Sequence, residues 1–185
     1  MKCSKLTSKT LSLIMNTRNA LIVAVLFFIV FAIMDVSTHH WHSTTACYQL
    51  AALNWLNNQN IYFHCFVYLP QSAILQIPFA HLSPIALSIC WRAIWMMLTV
   101  LALFKFSEMY PVKTNSQRGQ LFFLLVFVTL IMGWDSLKNG HLNTAMLVFG
   151  LLSFLAIYKE KWWLSAFFLT LGLAFKTLFL PVLAL

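Results

Sequence analysis

The sequence predicts an all-α polytopic membrane protein, and three observations lead to this prediction. Of the 185 residues, 61% are hydrophobic and only 9% are charged, whereas roughly a quarter of an ordinary soluble domain is charged. Several apolar segments approach the roughly 17 to 25 residues that a helix needs to cross a bilayer. Aromatic residues form 16% of the chain, with seven tryptophans, which is typical of anchoring at two membrane interfaces. A soluble globular protein and a disordered chain are thereby excluded.

Five segments are predicted to span the membrane. They cover residues 19–36, 84–104, 121–137, 142–158 and 162–185. The second begins with Ser83 followed by Pro84, the pattern of an N-cap and a first helical residue. No internal repeat or linker separates the segments, so residues 1–185 are predicted to form a single membrane domain.

The lysines and arginines predict which way the chain faces. Nine of the twelve precede the first span or lie between the second and third and between the fourth and fifth, within residues 1–18, 105–118 and 159–161. The opposite side holds only Lys138, while Arg92 and Lys176 fall inside spans. The positive-inside rule then predicts a multi-pass protein of the inner (cytoplasmic) membrane, with a cytoplasmic leader and residues 37–83 as an extracytoplasmic loop. The scattered cations do not form the basic stripe of a nucleic-acid binder.

The outer loop carries no Asp, Glu, Lys or Arg between Val36 and Trp91. Helical spacing of apolar residues predicts an amphipathic helix on the outer surface, through Ala46, Leu50, Leu53 and Leu56. The apolar segment 66–80 is interrupted by Pro70 and Pro78. We therefore expect a Pro-bounded segment that dips into the membrane interface rather than a further span.

A few ionisable residues are predicted to lie in the outer half of the protein. They are Asp35, Arg92, Asp135, Lys138, His141 and Lys176. Burying a cation at membrane depth costs roughly 2.5 to 3.5 kcal/mol, which calls for a partner or a wet cavity. Together these residues predict an outward-facing anion site with acidic groups beside it, as transfer of a group from a phosphate-linked lipid requires. The alternatives are that Asp35 only marks a helix end, that the two buried cations snorkel or pair with a neighbouring helix, and that Asp135 and Lys138 form an exposed pair.

A second cluster in the outer loop could bind a metal instead. Its six soft-metal ligands are His39, His40, His42, Cys47, His64 and Cys65. Their spacing matches no standard zinc motif, so no metal or other cofactor is predicted. Cys47 and Cys65 share the predicted oxidising face and could instead form a disulfide.

Several short motifs occur in an order that resembles a known family. They are a single Asp after the first span, Ile61-Tyr62, Phe66-x-Tyr68-x-Pro70, Pro78, Trp91, Asn139-Gly140-His141-Leu142-Asn143, and Ala174-Phe175-Lys176 followed by Pro181. This order resembles glycosyltransferase family 87, the polyprenol-phosphate-mannose-dependent mannosyltransferase-like members of the GT-C superfamily. The resemblance covers about residues 21–185.

The resemblance implies an enzyme that transfers a hexose, mannose or a similar sugar, from a polyprenyl phosphate to a lipid or glycan acceptor on the extracytoplasmic face. Asp35 matches the general base, and Lys176 with Arg92 would stabilise the leaving phosphate. The implied substrate-binding positions are Tyr68, Asn139 and His141. A single base suits inversion by direct displacement, and retention stays open.

Two departures from the family limit what is carried over. The family's Asn-Gly-Gln type motif has His141 at its third position. Family members are also longer, so the chain is expected to be the N-terminal part of a larger enzyme, or a truncated frame that is inactive alone. The alternatives are a non-catalytic subunit of a transporter or envelope complex and an outward-facing metal-binding membrane protein.

Overall fold

A computed structural model describes residues 15–38, 44–62, 66, 68–112 and 114–175, with only the backbone of Asp35 and Thr38. Within these ranges the regular structure is entirely helical. The helices are α1 (Thr17–Thr38), α2 (Thr44–Leu56), α3 (Pro70–Ile74), the 3-10 turn η1 (Ile77–Phe79), α4 (Pro84–Ser107), α5 (Asn115–Met132), α6 (Trp134–Asn139), α7 (Asn143–Tyr158) and α8 (Trp162–Phe175). The predicted fold class is thus confirmed in being all-α.

Two of the described helices, α1 and α4, are long and apolar enough to cross a membrane. Large apolar side chains cover the exposed surface of α1, including Leu21, Ile22, Val25, Leu26, Ile29 and Ile33. An apolar surface along a whole helix is unfavourable in water and indicates a membrane or protein partner. Helices α7 and α8 are also apolar but have 16 and 14 described residues. The two long helices therefore indicate membrane association, while the count of five spans stays a prediction.

Three predicted helix positions agree closely with the structure. Segment 19–36 lies within α1, and segment 142–158 corresponds to α7. Helix α4 begins at Pro84 as predicted, because the Ser83 hydroxyl accepts a hydrogen bond from the Ala86 N–H at 3.3 Å. The predicted last segment corresponds to α8, and residues 176–185 lie outside the described residues.

The predicted continuous helix over residues 121–137 is wrong. Helix α5 starts earlier, ends at Met132, and is followed by the separate short helix α6. Gly133 lies at the junction, and a Cβ atom there would be only 2.8 Å from the Thr129 carbonyl oxygen. The chain can bend this tightly only where the side chain is absent. A uniformly apolar pattern does not reveal such a bend.

The outer loop contains the predicted surface helix, but the helix packs with a different face from the one that carries the predicted apolar residues Ala46, Leu50, Leu53 and Leu56. Helix α2 buries Tyr48, Ala51 and Ala52, whereas Leu50 and Leu56 are exposed. The small alanines allow α2 to approach α3 and η1 closely. Helix α3 begins with Pro70 and η1 has Pro78 as its second residue, in agreement with the predicted Pro-bounded segment.

Helix α4 lies at the centre and packs against α1, α2, α5 and α7. One core cluster, around Tyr48, Trp91 and Trp95, joins α4 to the outer loop and α7. The other, around Phe31 and Phe122, joins α4 to α1 and α5. Because α4 contributes to both clusters, it fixes the outer loop relative to the remaining helices.

Candidate functional site

The end of α6 is held by side chains from two other helices. The last four carbonyl groups of a helix have no partner within it and must find one elsewhere. Arg92 donates two of these bonds, from Nε to the Leu137 carbonyl at 2.7 Å and from Nη2 to the Lys138 carbonyl. Thr44 Oγ1 donates to the Asn139 carbonyl at 2.5 Å. Trp91 Nε1 donates to the Gly140 carbonyl at 3.2 Å. Four consecutive carbonyls are therefore satisfied by α2 and α4, and this anchors α6 firmly.

A left-handed glycine then turns the chain into α7. Gly140 has φ 69°, a conformation that favours glycine, and it caps the C-terminus of α6. The His141 N–H donates to the Ser136 carbonyl at 2.9 Å, which closes the turn. Residues 135–143, called here the α6–α7 turn, are thus fixed both by their own backbone and by the neighbouring helices.

The α6–α7 turn displays the polar side chains that the sequence singled out. Asn139 Nδ2 donates to Asp135 Oδ1 at 2.8 Å, and His141 Nε2 lies 3.9 Å from Asp135 Oδ2. Asp135 is exposed, with 81% of its side chain accessible. Asn143 Nδ2 donates to Ser136 Oγ at 3.1 Å. Of the predicted substrate-binding residues, Asn139 and His141 therefore share one carboxylate on a single polar surface.

Arg92, predicted to bind the donor phosphate, is bonded mainly to the protein backbone. Its side chain is 2% exposed, and besides the two carbonyls of α6 it bonds to both the carbonyl and the hydroxyl oxygen of Ser88. This guanidinium thus caps α6, which corresponds to the alternative of pairing with a neighbouring helix.

Tyr68 belongs to an aromatic cluster beneath the turn. Its ring is half-buried and makes edge contacts with Tyr48 and Phe66, at centroid distances of 5.3 and 5.9 Å. Burial raises the pKa of the Tyr48 phenol, and the neighbouring Tyr68 hydroxyl adds to this effect. The Tyr48 hydroxyl is buried and none of its described neighbours completes a hydrogen bond of good geometry with it. Tyr48 also contacts Trp91, so the cluster connects Tyr68 to the anchored turn.

The structure describes only the surroundings of the two remaining predicted residues. Asp35 lies in the last turn of α1, four residues after Phe31, whose ring contacts Trp134 at 4.9 Å. The Asp35 backbone therefore lies at the same end of the molecule as α6, and its side chain is outside the described part. Lys176 is outside as well, and the preceding Phe175 packs against Trp95 at 5.7 Å.

The cysteine and histidine cluster of the outer loop is described only in part. Cys47 is disulfide-bonded, whereas Cys90 is a free, exposed thiol. The partner of Cys47 lies outside the described residues, so the pairing with Cys65 stays a prediction. The same is true of a metal site at His39, His40, His42 and His64, which the structure does not describe. The described residues contain no group of three or more metal-ligating side chains.

Two grooves of similar size lie on the sides of α4. The first, called the mixed groove, has a volume of about 310 Å³ and lies between α4, α5 and α7, and the polar residues of its lining are Thr99, Thr129, Ser136, Asn143 and Thr144. The second, called the apolar groove, has about 330 Å³, lies between α1 and α4, and is lined by apolar residues throughout. Sequence reasoning missed both grooves, since a groove depends on how neighbouring helices pack.

Comparison of the chain with protein-family models, with curated proteins and with solved structures gave no match. The resemblance to glycosyltransferase family 87 therefore stays a prediction.

Proposed function

We propose that the protein is a membrane glycosyltransferase that takes a hexose, mannose or a similar sugar, from a polyprenyl phosphate. Transfer takes place on the extracytoplasmic face, onto a lipid or glycan acceptor. The observation that carries the proposal is the α6–α7 turn, anchored through four consecutive carbonyls and presenting Asp135, Asn139 and His141 on one surface. A catalytic or binding site needs polar groups held in place by surrounding bonds, which this turn has.

The membrane topology belongs to the same proposal. Five spans with the N-terminus inside leave the α6–α7 turn and the end of α1 on the outer face. The disulfide at Cys47, on α2, supports this orientation because disulfides persist in oxidising compartments.

In the proposed reaction Asp35 is the general base. The Asp35 carboxylate takes the proton of the acceptor hydroxyl while the acceptor oxygen forms its bond to sugar C1. The bond from C1 to the phosphate oxygen breaks, and its electron pair leaves with the polyprenyl phosphate. Because this leaving group is already a stable anion, no general acid is needed, and a cation such as Lys176 stabilises its charge. The proximity of the α1 end to α6, through Phe31 and Trp134, supports placing base and turn in one site.

The test is the replacement Asp35→Asn, introduced into the chromosomal gene so that the protein is studied in its own membranes. Membranes are supplied with radiolabelled mannosyl or other hexosyl polyprenyl phosphates, and label in the lipid and glycan fractions is counted. We expect loss of transfer at an unchanged amount of protein, because no other group takes the acceptor proton. Glu108→Gln is the matched control, since Glu108 is exposed and pairs with Lys105 within its own helix end.

Two results would overturn the proposal. One is transfer by the Asp35→Asn variant at the level of the unmodified protein. The other is transfer that does not change when the whole gene is deleted. In the second case a non-catalytic membrane subunit becomes the better description, and co-purification of a partner chain would identify it.

A further inference from the structure

We infer that the apolar groove binds an anionic phospholipid of the membrane, with one acyl chain in the groove and the phosphate at Arg18 and Arg118. This end of the molecule lies opposite the α6–α7 turn, so the lipid site is separate from the proposed reaction and does not depend on it. The lipid is a two-chain component of the bilayer and takes part in no transfer.

The apolar groove runs along α1 and α4, which lie antiparallel. Phe31 of α1 contacts Trp134 of α6, and Arg92 of α4 bonds to a carbonyl of the same short helix. The end of α1 and the beginning of α4 therefore meet at α6. Leu21 and Leu101 line the groove on the two helices. They consequently lie together at its far end, away from the α6–α7 turn.

Cations lie one helical turn beyond this far end of the groove. Residues three or four apart share a helix face, which places Arg18 beside Leu21 and Lys105 beside Leu101. Arg18 is exposed, and Lys105 pairs with Glu108 at 3.1 Å while 58% of its side chain stays accessible. An exposed pair of this kind is weak, so it does not keep an anion from the ammonium group. The groove therefore ends between two exposed cations.

Arg118 of α5 supplies the observation that calls for a ligand. It precedes Gly119, where a Cβ atom would lie 3.3 Å from the Thr17 backbone nitrogen, so Arg118 and Arg18 flank the same contact between α5 and α1. The Arg118 Nε atom is shielded from solvent, and none of the described residues accepts a hydrogen bond from it. A shielded donor without an acceptor is unfavourable. A phosphate oxygen between the two arginines would accept this bond, and bonds from arginine to phosphate are among the strongest in proteins.

The apolar surface around the groove suits a lipid with two acyl chains. All residues that line the groove are apolar, and Val25 and Met97 among them are exposed, so the groove is open from the side. Beside it, Ile22, Leu26 and Ile29 form an exposed apolar strip on α1. One acyl chain fills the groove and the second lies against this strip. A single-chain polyprenyl phosphate would leave the strip uncovered, and free phosphate would leave the groove empty as well.

The experiment uses the full chain in phosphatidylcholine vesicles that contain a small share of phosphatidylglycerol with a diazirine at the end of one acyl chain. After irradiation, labelled peptides are mapped by mass spectrometry. We expect label on residues 21–28 and 93–101. A phosphatidylcholine probe with the same labelled chain should give little label there, because its headgroup has no net charge. Inorganic phosphate should not compete, because it has no chain to fill the groove.

Removal of the two arginine charges tests the headgroup site. Arg18→Gln combined with Arg118→Gln should weaken labelling by the phosphatidylglycerol probe about tenfold, since both cations attract an anionic headgroup. The matched control is Lys159→Gln combined with Lys161→Gln. It removes as many charges from the connection between α7 and α8, at the same end of the molecule but outside the groove. Labelling of this control should be unchanged.

Filling the groove tests the site of the acyl chain. Ala93→Trp should abolish labelling, whereas Val128→Trp in the mixed groove should leave it unchanged, and helical circular dichroism verifies that each variant is folded. Equal labelling by the two probes, unchanged labelling of the double arginine variant, or label outside the groove would each overturn the inference. Competition by inorganic phosphate, or stronger competition by a polyprenyl phosphate than by phosphatidylglycerol, would overturn it too. Since neither probe carries a sugar to transfer, these results are independent of the outcome for Asp35→Asn.

Discussion

Arg92 illustrates how a single buried cation can be tolerated. A charge at this depth is expensive unless it is paired and hydrogen-bonded. The Arg92 guanidinium donates hydrogen bonds to the carbonyls of Leu137 and Lys138, which carry the negative end of the α6 peptide dipoles. The side chain and the end of the helix therefore satisfy each other.

We expect Arg92→Met to destabilise the detergent-solubilised protein by about 3 kcal/mol, because it removes charge-assisted hydrogen bonds and leaves buried carbonyls without donors. The measurement is the loss of helical circular dichroism on heating. Arg18→Met is the control, since Arg18 is exposed at the start of α1. Equal unfolding temperatures for the two variants would contradict the capping role.

Tyr48→Phe should have the opposite effect. The Tyr48 hydroxyl is buried and forms no hydrogen bond of good geometry with a described residue, so its removal relieves an unfavourable burial and keeps the ring contacts with Tyr68 and Trp91. We expect a neutral to stabilising change of up to about 1 kcal/mol. The same thermal measurement checks it, and a loss of more than about 1 kcal/mol would mean that the hydroxyl is bonded in the native protein.

The sequence identified the polar residues of the site but not what each of them does. Arg92 was recognisable as a cation within an apolar segment, yet it bonds to backbone carbonyls 45 and 46 residues away, and carbonyl groups carry no sequence signal. The hydrogen-bond roles of Thr44 and Trp91 were hidden for the same reason. His141 was singled out as one of the few ionisable residues of the outer half, whereas Asn139 was implied only by the resemblance to the family motif.

At the scale of elements, glycines determine where helices bend and where they touch. Gly133 separates α5 from α6, which the apolar pattern alone merges into one helix. Gly119, in the first turns of α5, lies against the start of α1. Helix starts marked by Ser83 and Pro84 could be predicted because capping chemistry is local. Breaks within apolar segments could not, because they depend on close backbone contacts.

Substitutions at Gly119 should separate α1 from α5 in proportion to their size. A Cβ atom at this position would lie 3.3 Å from the Thr17 backbone nitrogen and 3.4 Å from the Asn16 Cα. We expect a small loss of stability for Gly119→Ala and about 1 to 3 kcal/mol for Gly119→Leu, as for other overpacked contacts. Thermal unfolding measures both, with exposed Ser116→Leu as the control. A Gly119→Leu variant as stable as this control would show that the helices do not meet here.

At the scale of the whole molecule, the proposed orientation can be tested with single cysteines. Gln59 follows α2 on the predicted outer side, and Lys161 precedes α8 on the predicted inner side, both exposed. A membrane-impermeant maleimide added to intact cells should label Gln59→Cys. It should label Lys161→Cys only after lysis. Peptide mass spectrometry separates these sites from the free thiol of Cys90, and labelling of Lys161→Cys in intact cells would reverse the topology.

The global architecture was more predictable than the arrangement of its parts. Composition and apolar segments predicted an all-helical chain, and α1, α4 and α7 appear near their expected positions. The packing face of α2 was not predictable, because the helix packs through the small residues Ala51 and Ala52 and not through its leucines. That Arg92 lies near Lys138 could be predicted from the arrangement of the apolar segments, while the side of the membrane that this end faces stays a prediction.

The capping of α6 also has a consequence for how the protein is made. The residues that donate these bonds are synthesised before the carbonyls that accept them, and Arg92 precedes Leu137 by 45 positions. At about 5 to 20 residues per second, a ribosome needs about 2 to 9 s to cover that distance. During this interval the Arg92 guanidinium lacks the two α6 carbonyls to which it is bonded in the finished protein. A chain stalled before residue 137 should therefore hold α4 in the bilayer less firmly than the finished protein does.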